Sequence, residues 1–290
     1  MQFGISIPQC DAFGDVRKLM ELAQTAEAVG WDGFFVWDSV LFDDFWRPVV
    51  DPWVTLAAIA ATTQRIRIGP LVTPVARRRP WKLARETVSL DQLSGGRMIL
   101  GVGLGSPEKW EYAAFGEETD NRIRAEKLDE GLEILLGLWS GEMFSFQGKH
   151  YQLEEMRFQP TPVQQPRIPI WVAGGWPNRA PLRRAARYDG VVPIKTSGHL
   201  TADEWRELLA YVGEQRESSQ PITGVAMGVT GRMTSAEASS KVAAYAEAGC
   251  SWWVEDISPY GYGLPWHTSA WPTEAAEFLE ARIRQGPVEL

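Results

Sequence analysis

Short runs rich in β-branched and aromatic residues alternate with stretches of helical periodicity along the whole 290-residue chain. That succession restricts the fold more than any other feature, because strand, helix, strand in strict order builds a parallel sheet with its helices outside. FGISI (3–7), GFFVW (33–37), IRIGPLV (66–72), MILGVGL (98–104), IPIWVAG (168–174), DGVVPI (189–194), ITGVAMGV (222–229) and SWWVEDI (251–257) read as strands. Between the first two, Val16, Leu19, Met20, Ala23 and Ala26 recur at helical spacing until Gly30 stops the helix. Asp51 and Pro52 mark the N-cap and first turn of the next helix, Pro80 opens another reaching about Leu93, and 121–139 is a third, carrying Glu126 and Glu130. Eight strands alternating with eight helices, without a linker-like stretch, predict one domain over residues 1–290: an α/β fold, a single (β/α)8 TIM-type barrel rather than two doubly wound halves. Residues 140–168, rich in Gly, Gln and Pro, break the rhythm and are expected to leave the barrel between its fourth and fifth strands as a short hairpin.

The formal net charge of −8 excludes nucleic acid as the expected partner, since a polyanion is repelled without a basic patch. Met1 leads straight into FGISI, with no basic segment followed by an apolar one and no run long enough to span a membrane, so a cytoplasmic protein is expected. Cys10 and Cys250 form no CxxC, and His150, His199 and His267 have no metal-ligand spacing, so no metal site is expected. The chain holds 14 tryptophans. Trp37, Trp171, Trp176, Trp252, Trp253 and Trp266 fall near strand ends, where core packing and an aromatic-lined cleft for a flat ligand are both open readings.

A barrel places its chemistry at the C-terminal ends of its strands. One such end, MILGVGLGS (98–106), superficially resembles a dinucleotide loop, but Ser106 stands where the third glycine should, and an acidic loop-like segment follows in place of a helix. Glycines at 101, 103 and 105 strip side chains from one face of a strand, which weakens it unless another body comes close. That body is either a planar ligand or a neighbouring strand.

The stretch PLVTPVARRRPWKLARETVSLDQLSGGRMILGVGLGS resembles the luciferase-like flavin-dependent oxidoreductases, a superfamily that includes bacterial luciferase, alkane monooxygenases and coenzyme F420-dependent dehydrogenases and reductases. FGISIP, AEAVGWDGFFVWDS, FQGKHYQL and RIPIWVAGGWPNRAPLRRAARYDGVVP share the resemblance, which covers most of residues 1–195. It implies FMN or coenzyme F420 bound at the C-terminal face of the barrel. A non-prolyl cis peptide is implied at Leu71–Val72, with the ring system near Leu104, Gly105 and Ser106. AGGWPN is implied to take the phosphate, through Ala173, Gly174, Gly175 and Trp176, with the helix begun by Pro177 behind them and Lys195 adding charge. A tight turn at the glycine pair is the alternative.

Related F420-dependent dehydrogenases resemble one another in carrying Asp-His after the second strand and Glu after the fourth. This chain has Asp38-Ser39 and Ser106 there, so the acid–base pair is missing and Asp38 is the remaining ionisable candidate, a carboxylate that caps a loop being the alternative. Glu255, at the end of the eighth strand, is a second catalytic candidate, and His199 and His267 are loop histidines, open to two readings: a proton donor, or an exposed residue with no role. Arg77, Arg78 and Arg79 precede a helix whose dipole they oppose, so they pair with carboxylates such as Glu86 or reach an anion at the barrel mouth. SPYGYGLPWHTSAW (258–271) reads as a rim or lid over the substrate. The expected function is oxidation or reduction of a small organic substrate: monooxygenation with reduced FMN supplied by a flavin reductase, or hydride transfer with F420. A homodimer is also implied by the resemblance. A non-catalytic flavin-binding homologue, or a cofactor-free hydrolase using Asp38 with Glu255, are the competing readings.

Overall fold

The computed structural model describes every residue except Asp44, Pro107, Thr196, Ser197, Trp266 and His267; the expectations for Trp266 and His267 therefore lie outside the described residues. Strands β1 (Gln2–Ile7), β2 (Gly33–Val36), β3 (Arg67–Pro70), β4 (Thr73–Pro74) and β5 (Leu100–Gly103) come from the first part of the chain. β8 (Ile170–Gly175), β9 (Gly190–Ile194), β10 (Thr223–Gly228) and β11 (Trp252–Asp256) follow the hairpin strands β6 (Met143–Gln147) and β7 (Gln152–Arg157). The order across the main sheet is β3-β2-β1-β11-β10-β9-β8-β5-β4, and its pairings are parallel. A parallel bridge between Ile68 and Met98, in which Ile99 N donates to Ile68 O at 2.9 Å, brings the two edges together and closes the sheet nearly into a barrel. β3 and β4 are the two halves of the third strand, parted at Leu71–Val72, where the peptide is cis as the resemblance implies.

Helices α1 (Val16–Ala28), α2 (Pro52–Thr62), α3 (Pro80–Leu93), α5 (Asn121–Trp139), α6 (Arg179–Ala185), α7 (Ala202–Gln215), α8 (Ser235–Glu247) and α9 (Thr273–Arg284) surround the sheet, and the short α4 (Glu108–Glu111) lies in the loop after β5. Their starts follow local chemistry. The Asp15 side chain accepts from Lys18 N, and Asp51 accepts from Val54 N with Pro52 behind it. Helix α6 differs from expectation: Pro177 follows a cis peptide and lies outside the helix, which starts at Arg179 with Asn178 as its cap.

Between sheet and helices lies the larger apolar core. A second, smaller cluster fills the barrel: Phe35, Trp171 and Trp252 meet with ring centroids 5.1–5.8 Å apart, each pair tilted or edge-on. Such contacts add about 0.5–1.5 kcal/mol each beyond area burial. Trp253 points the other way, fully buried against Tyr245 of α8. Trp171, Trp252 and Trp253 thus pack the core, which selects that one of the two readings for three of the tryptophans near strand ends.

β6 and β7 pair antiparallel in a sheet of their own. Glu130 of α5 accepts from the backbone N–H groups of Lys149, His150 and Tyr151, while Glu126 takes Lys149 Nζ at 2.7 Å and His150 Nε2 at 2.9 Å. The two acidic residues one turn apart on α5 therefore clamp the turn of the hairpin. This occupies His150 away from the strand ends.

Candidate active site

At the C-terminal ends of the barrel strands lies a cavity of about 780 Å³. Leu71, Val72, Leu104, Ala173, Val192 and Met227 give it a mostly apolar wall. The close body implied by the alternating glycines is the third strand. A Cβ on Gly101 would stand 2.4 Å from the Pro70 carbonyl oxygen, and one on Gly103 would stand 3.0 Å from Val72 Cγ2. β5 is thinned so that Leu71 and Val72 can pack across it at the cavity wall. Gly105 has φ +81°, a conformation that favours glycine, and a Cβ there would meet Pro74 at 2.6 Å. The Leu104 carbonyl beside it is held by Tyr112 Oη at 2.7 Å.

Of the implied cofactor residues, Leu71, Val72, Leu104, Gly105, Ser106, Ala173, Gly174, Gly175 and Lys195 line this cavity. Trp176 does not; it is half-buried against the core, with the Arg179 guanidinium 5.2 Å from its ring. Gly174 is a packing glycine, since a Cβ there would overlap Pro181 of α6 at 2.1 Å, whereas Gly175 faces open space. Neither glycine has positive φ, so the tight left-handed turn is not formed. The α6 cap also uses its own donor: Asn178 Oδ1 takes Ala180 N at 3.1 Å. Lys195 is tied to Glu204 at 2.8 and 3.0 Å, and the hydrogen bond from its ammonium holds the Glu204 carboxyl below its ordinary range, so any charge it offers an anion is shared.

The three consecutive arginines resolve through Asp38. The Asp38 side chain is fully buried and accepts from Thr73 Oγ1 at 2.9 Å, from Trp53 Nε1 at 3.3 Å, from Arg77 at 2.8 Å and from Arg78 at 2.6 and 3.0 Å. Arg77 also pairs with Glu111 of α4, and Arg78 reaches Glu86 at 3.7 Å. Burial lowers the Arg77 guanidinium while Asp38 acts against it. Asp38 borders the cavity, but its hydrogen-bonding capacity is spent on anchoring the start of α3, so the geometry supports a positioning role and not the catalytic one expected.

Glu255 is placed differently again. Along β11 the inward residues are Trp252, Val254 and Asp256, so Glu255 points outward to the helices. There, fully buried, it accepts from Thr230 N at 2.6 Å, Thr230 Oγ1 at 2.9 Å, Trp253 Nε1 at 3.0 Å, Arg282 Nε at 3.3 Å and Tyr262 Oη. Burial, then the Glu255 charge, push the Tyr262 phenol up. Glu255 is absent from the cavity wall, and the paired Asp38–Glu255 hydrolase site does not form. Its neighbour Asp256 lines the cavity, as does His199. Asn178, the last residue of AGGWPN, and Tyr260, within the expected rim segment 258–271, also line it, as do Asn121 and Arg122 at the start of α5, which were not singled out because they stand well beyond the end of β5, after α4.

The model of the luciferase-like monooxygenase family matches residues 1–286. The chain belongs to the luciferase-like monooxygenase family. Among relatives of this luciferase-like protein is an uncharacterized protein of Mycobacterium tuberculosis, 32% identical over 226 residues, or 72% of this chain and 75% of the other. An F420-dependent hydroxymycolic acid dehydrogenase of the same organism is 36% identical over 179 residues, covering 59% of this chain and 47% of that protein. The coenzyme F420-dependent tetrahydromethanopterin reductase of Methanopyrus kandleri superposes with a TM-score of 0.74 over 98% of both chains at 17% identity. The oxygenating constituent of 3,6-diketocamphane monooxygenase of Pseudomonas putida, solved with FMN, gives 0.63 over 79% of this chain and 67% of that one at 21% identity. These two superpositions show the shared fold.

Proposed function

We propose that this luciferase-like protein is an oxidoreductase that holds coenzyme F420 in the barrel-mouth cavity and acts on a small organic substrate. The observation that carries the reading is the slot itself: a mostly apolar wall in which β5 is stripped to glycine so that Leu71 and Val72 lie across it, with Gly175 keeping a side chain off its rim. A broad, flat ring fits such a wall, and a buried apolar wall favours it by excluding water. F420, when bound, supplies the hydride-transferring ring. Leu71, Val72, Leu104 and Ala173 would hold that ring, and Gly175, Asn178, Arg122 and Lys195 would face its phosphate-bearing tail. F420 is chosen over FMN because a sequence relative above 30% identity bears F420 in its name, whereas the FMN-bearing neighbour shares the fold alone.

Titrating the purified protein with F420 and with FMN, following ligand fluorescence, tests this. Saturable F420 binding at least tenfold tighter than FMN is expected, and Val72→Asp should weaken it by at least tenfold by setting an unpaired charge against the ring. Tighter FMN binding would move the protein to the oxygen-inserting branch, which needs a reductase to supply reduced flavin. Binding of neither overturns the reading.

A further inference from the structure

Behind the cavity wall two buried side chains converge on one backbone carbonyl. Tyr112 is fully buried, and the Arg124 side chain of α5 is 3% exposed. Tyr112 Oη donates to Leu104 O at 2.7 Å, and Arg124 Nη1 donates to the same oxygen at 3.3 Å. The Arg124 guanidinium also lies 4.3 Å from the centre of the Tyr112 ring and donates through Nη2 to Asn121 Oδ1. Two large side chains are thus immobilised, at a cost in conformational entropy, to hold one peptide group in one orientation. That peptide joins Leu104 to Gly105 and is trans, so its N–H points opposite to its C=O. The carbonyl faces Tyr112 and Arg124, and the Gly105 N–H therefore faces away from them. No described residue accepts a hydrogen bond from it. An N–H buried without an acceptor is costly, but Gly105 lines the cavity, where a ligand can supply one. Gly105 is seated closely between Pro74 and Tyr112, which a Cβ would meet at 2.6 and 3.3 Å.

We infer that the Gly105 N–H is a fixed hydrogen-bond donor for a carbonyl oxygen on the edge of the bound ring, and that Tyr112 and Arg124 are the positioning residues that aim it. Neither side chain lines the cavity; both act through the peptide they hold. Two donors on its carbonyl polarise that peptide and strengthen its N–H as a donor in turn. The inference rests on reading the cavity as the site of a flat ring. It adds that the ring must carry an acceptor where it meets the end of β5.

Lumichrome, a flat ring bearing carbonyl oxygens, and phenazine, a flat ring with none, are titrated against the full-length chain without F420. Binding is read from intrinsic tryptophan fluorescence, since Trp37 and Trp205 line the cavity. Lumichrome is expected to bind at least fivefold tighter, and to move the Gly105 amide proton downfield in proton–nitrogen correlation spectra, as phenazine does not. In Tyr112→Phe, which keeps the buried ring, and in Arg124→Gln, that preference should fall at least threefold, with phenazine affinity within twofold of the parent. A merely structural role would weaken both probes alike. Equal affinities in the parent, no saturable binding of lumichrome, an unmoved Gly105 amide, or a preference that survives Tyr112→Phe overturns the inference, and Tyr112→Phe decides by itself should Arg124→Gln not fold. If F420 fails to bind while the lumichrome preference and its loss in Tyr112→Phe hold, the cofactor assignment falls and the positioning role stands; F420 binding with the preference unchanged in Tyr112→Phe strikes the positioning role alone.

Discussion

Asp38, Glu255 and Asp256 are three acidic residues at strand ends, and their surroundings give them three different tasks. Asp38 neutralises Arg77 and Arg78 at the start of α3, where uncompensated cations would oppose the helix dipole. Glu255 ties β11 to Arg282 of α9 and to Thr230 after β10. Asp256, by contrast, has an Oδ1 that is buried without a hydrogen-bond donor among the described residues. Truncating Asp38 leaves two buried guanidiniums without their main partner, and losing one side of a buried pair costs about 3–5 kcal/mol. Asp38→Ala is therefore expected to lose about that much stability by urea unfolding. A loss under 1 kcal/mol would show that the Arg77–Glu111 contact is enough by itself.

The turn of the β6–β7 hairpin is held to α5 by the carboxylates of Glu126 and Glu130, so its attachment is sensitive to acid. Hydrogen bonds from Lys149 and then His150 hold the Glu126 carboxyl down at about 2, against an ordinary value of 4.5. A value lowered by folding means that this link contributes fully above 4.5 and fades as the pH falls from there through about 2. Hydrogen exchange of residues 143–157, corrected for its intrinsic pH dependence, should accelerate across that window before the barrel strands lose protection. In Glu126→Gln the hairpin should already be less protected at neutral pH, with the acid-dependent step much reduced. Unchanged protection in that variant would place the hold entirely on Glu130 and the apolar contacts.

For the whole molecule, the barrel separates into an aromatic plug and an open cavity at its mouth. Phe35, Trp171 and Trp252 fill the interior below the cavity. Trp171→Ala should cost about 3–5 kcal/mol by denaturant unfolding while leaving F420 affinity within threefold, and a tenfold affinity loss would mean that the plug shapes the site. Much of the architecture was legible in the chain because its signals are local. Strand–helix alternation, the Asp51–Pro52 and Pro80 helix starts and the bounds of α5 depend on residues within a few positions of one another. The family's motifs pointed to the cavity, and the glycines of β5 marked where something had to come close. The direction in which Glu255 and Asp256 point was hidden, because a strand buried on both faces, with tryptophans at both 252 and 253, shows no alternation from which to take its phase. The partners of the three arginines were hidden as well, since Asp38 lies 40 residues from Arg78 and meets it through closure of the barrel. Sequence by itself determined a luciferase-like barrel, through periodicity, short-range caps and the family's motifs, and pointed to the strand ends where the cavity lies. Which carboxylate anchors a helix, which braces the outer layer and which faces the cavity was decided only by tertiary structure, because ion pairing and burial act between residues that the chain keeps far apart.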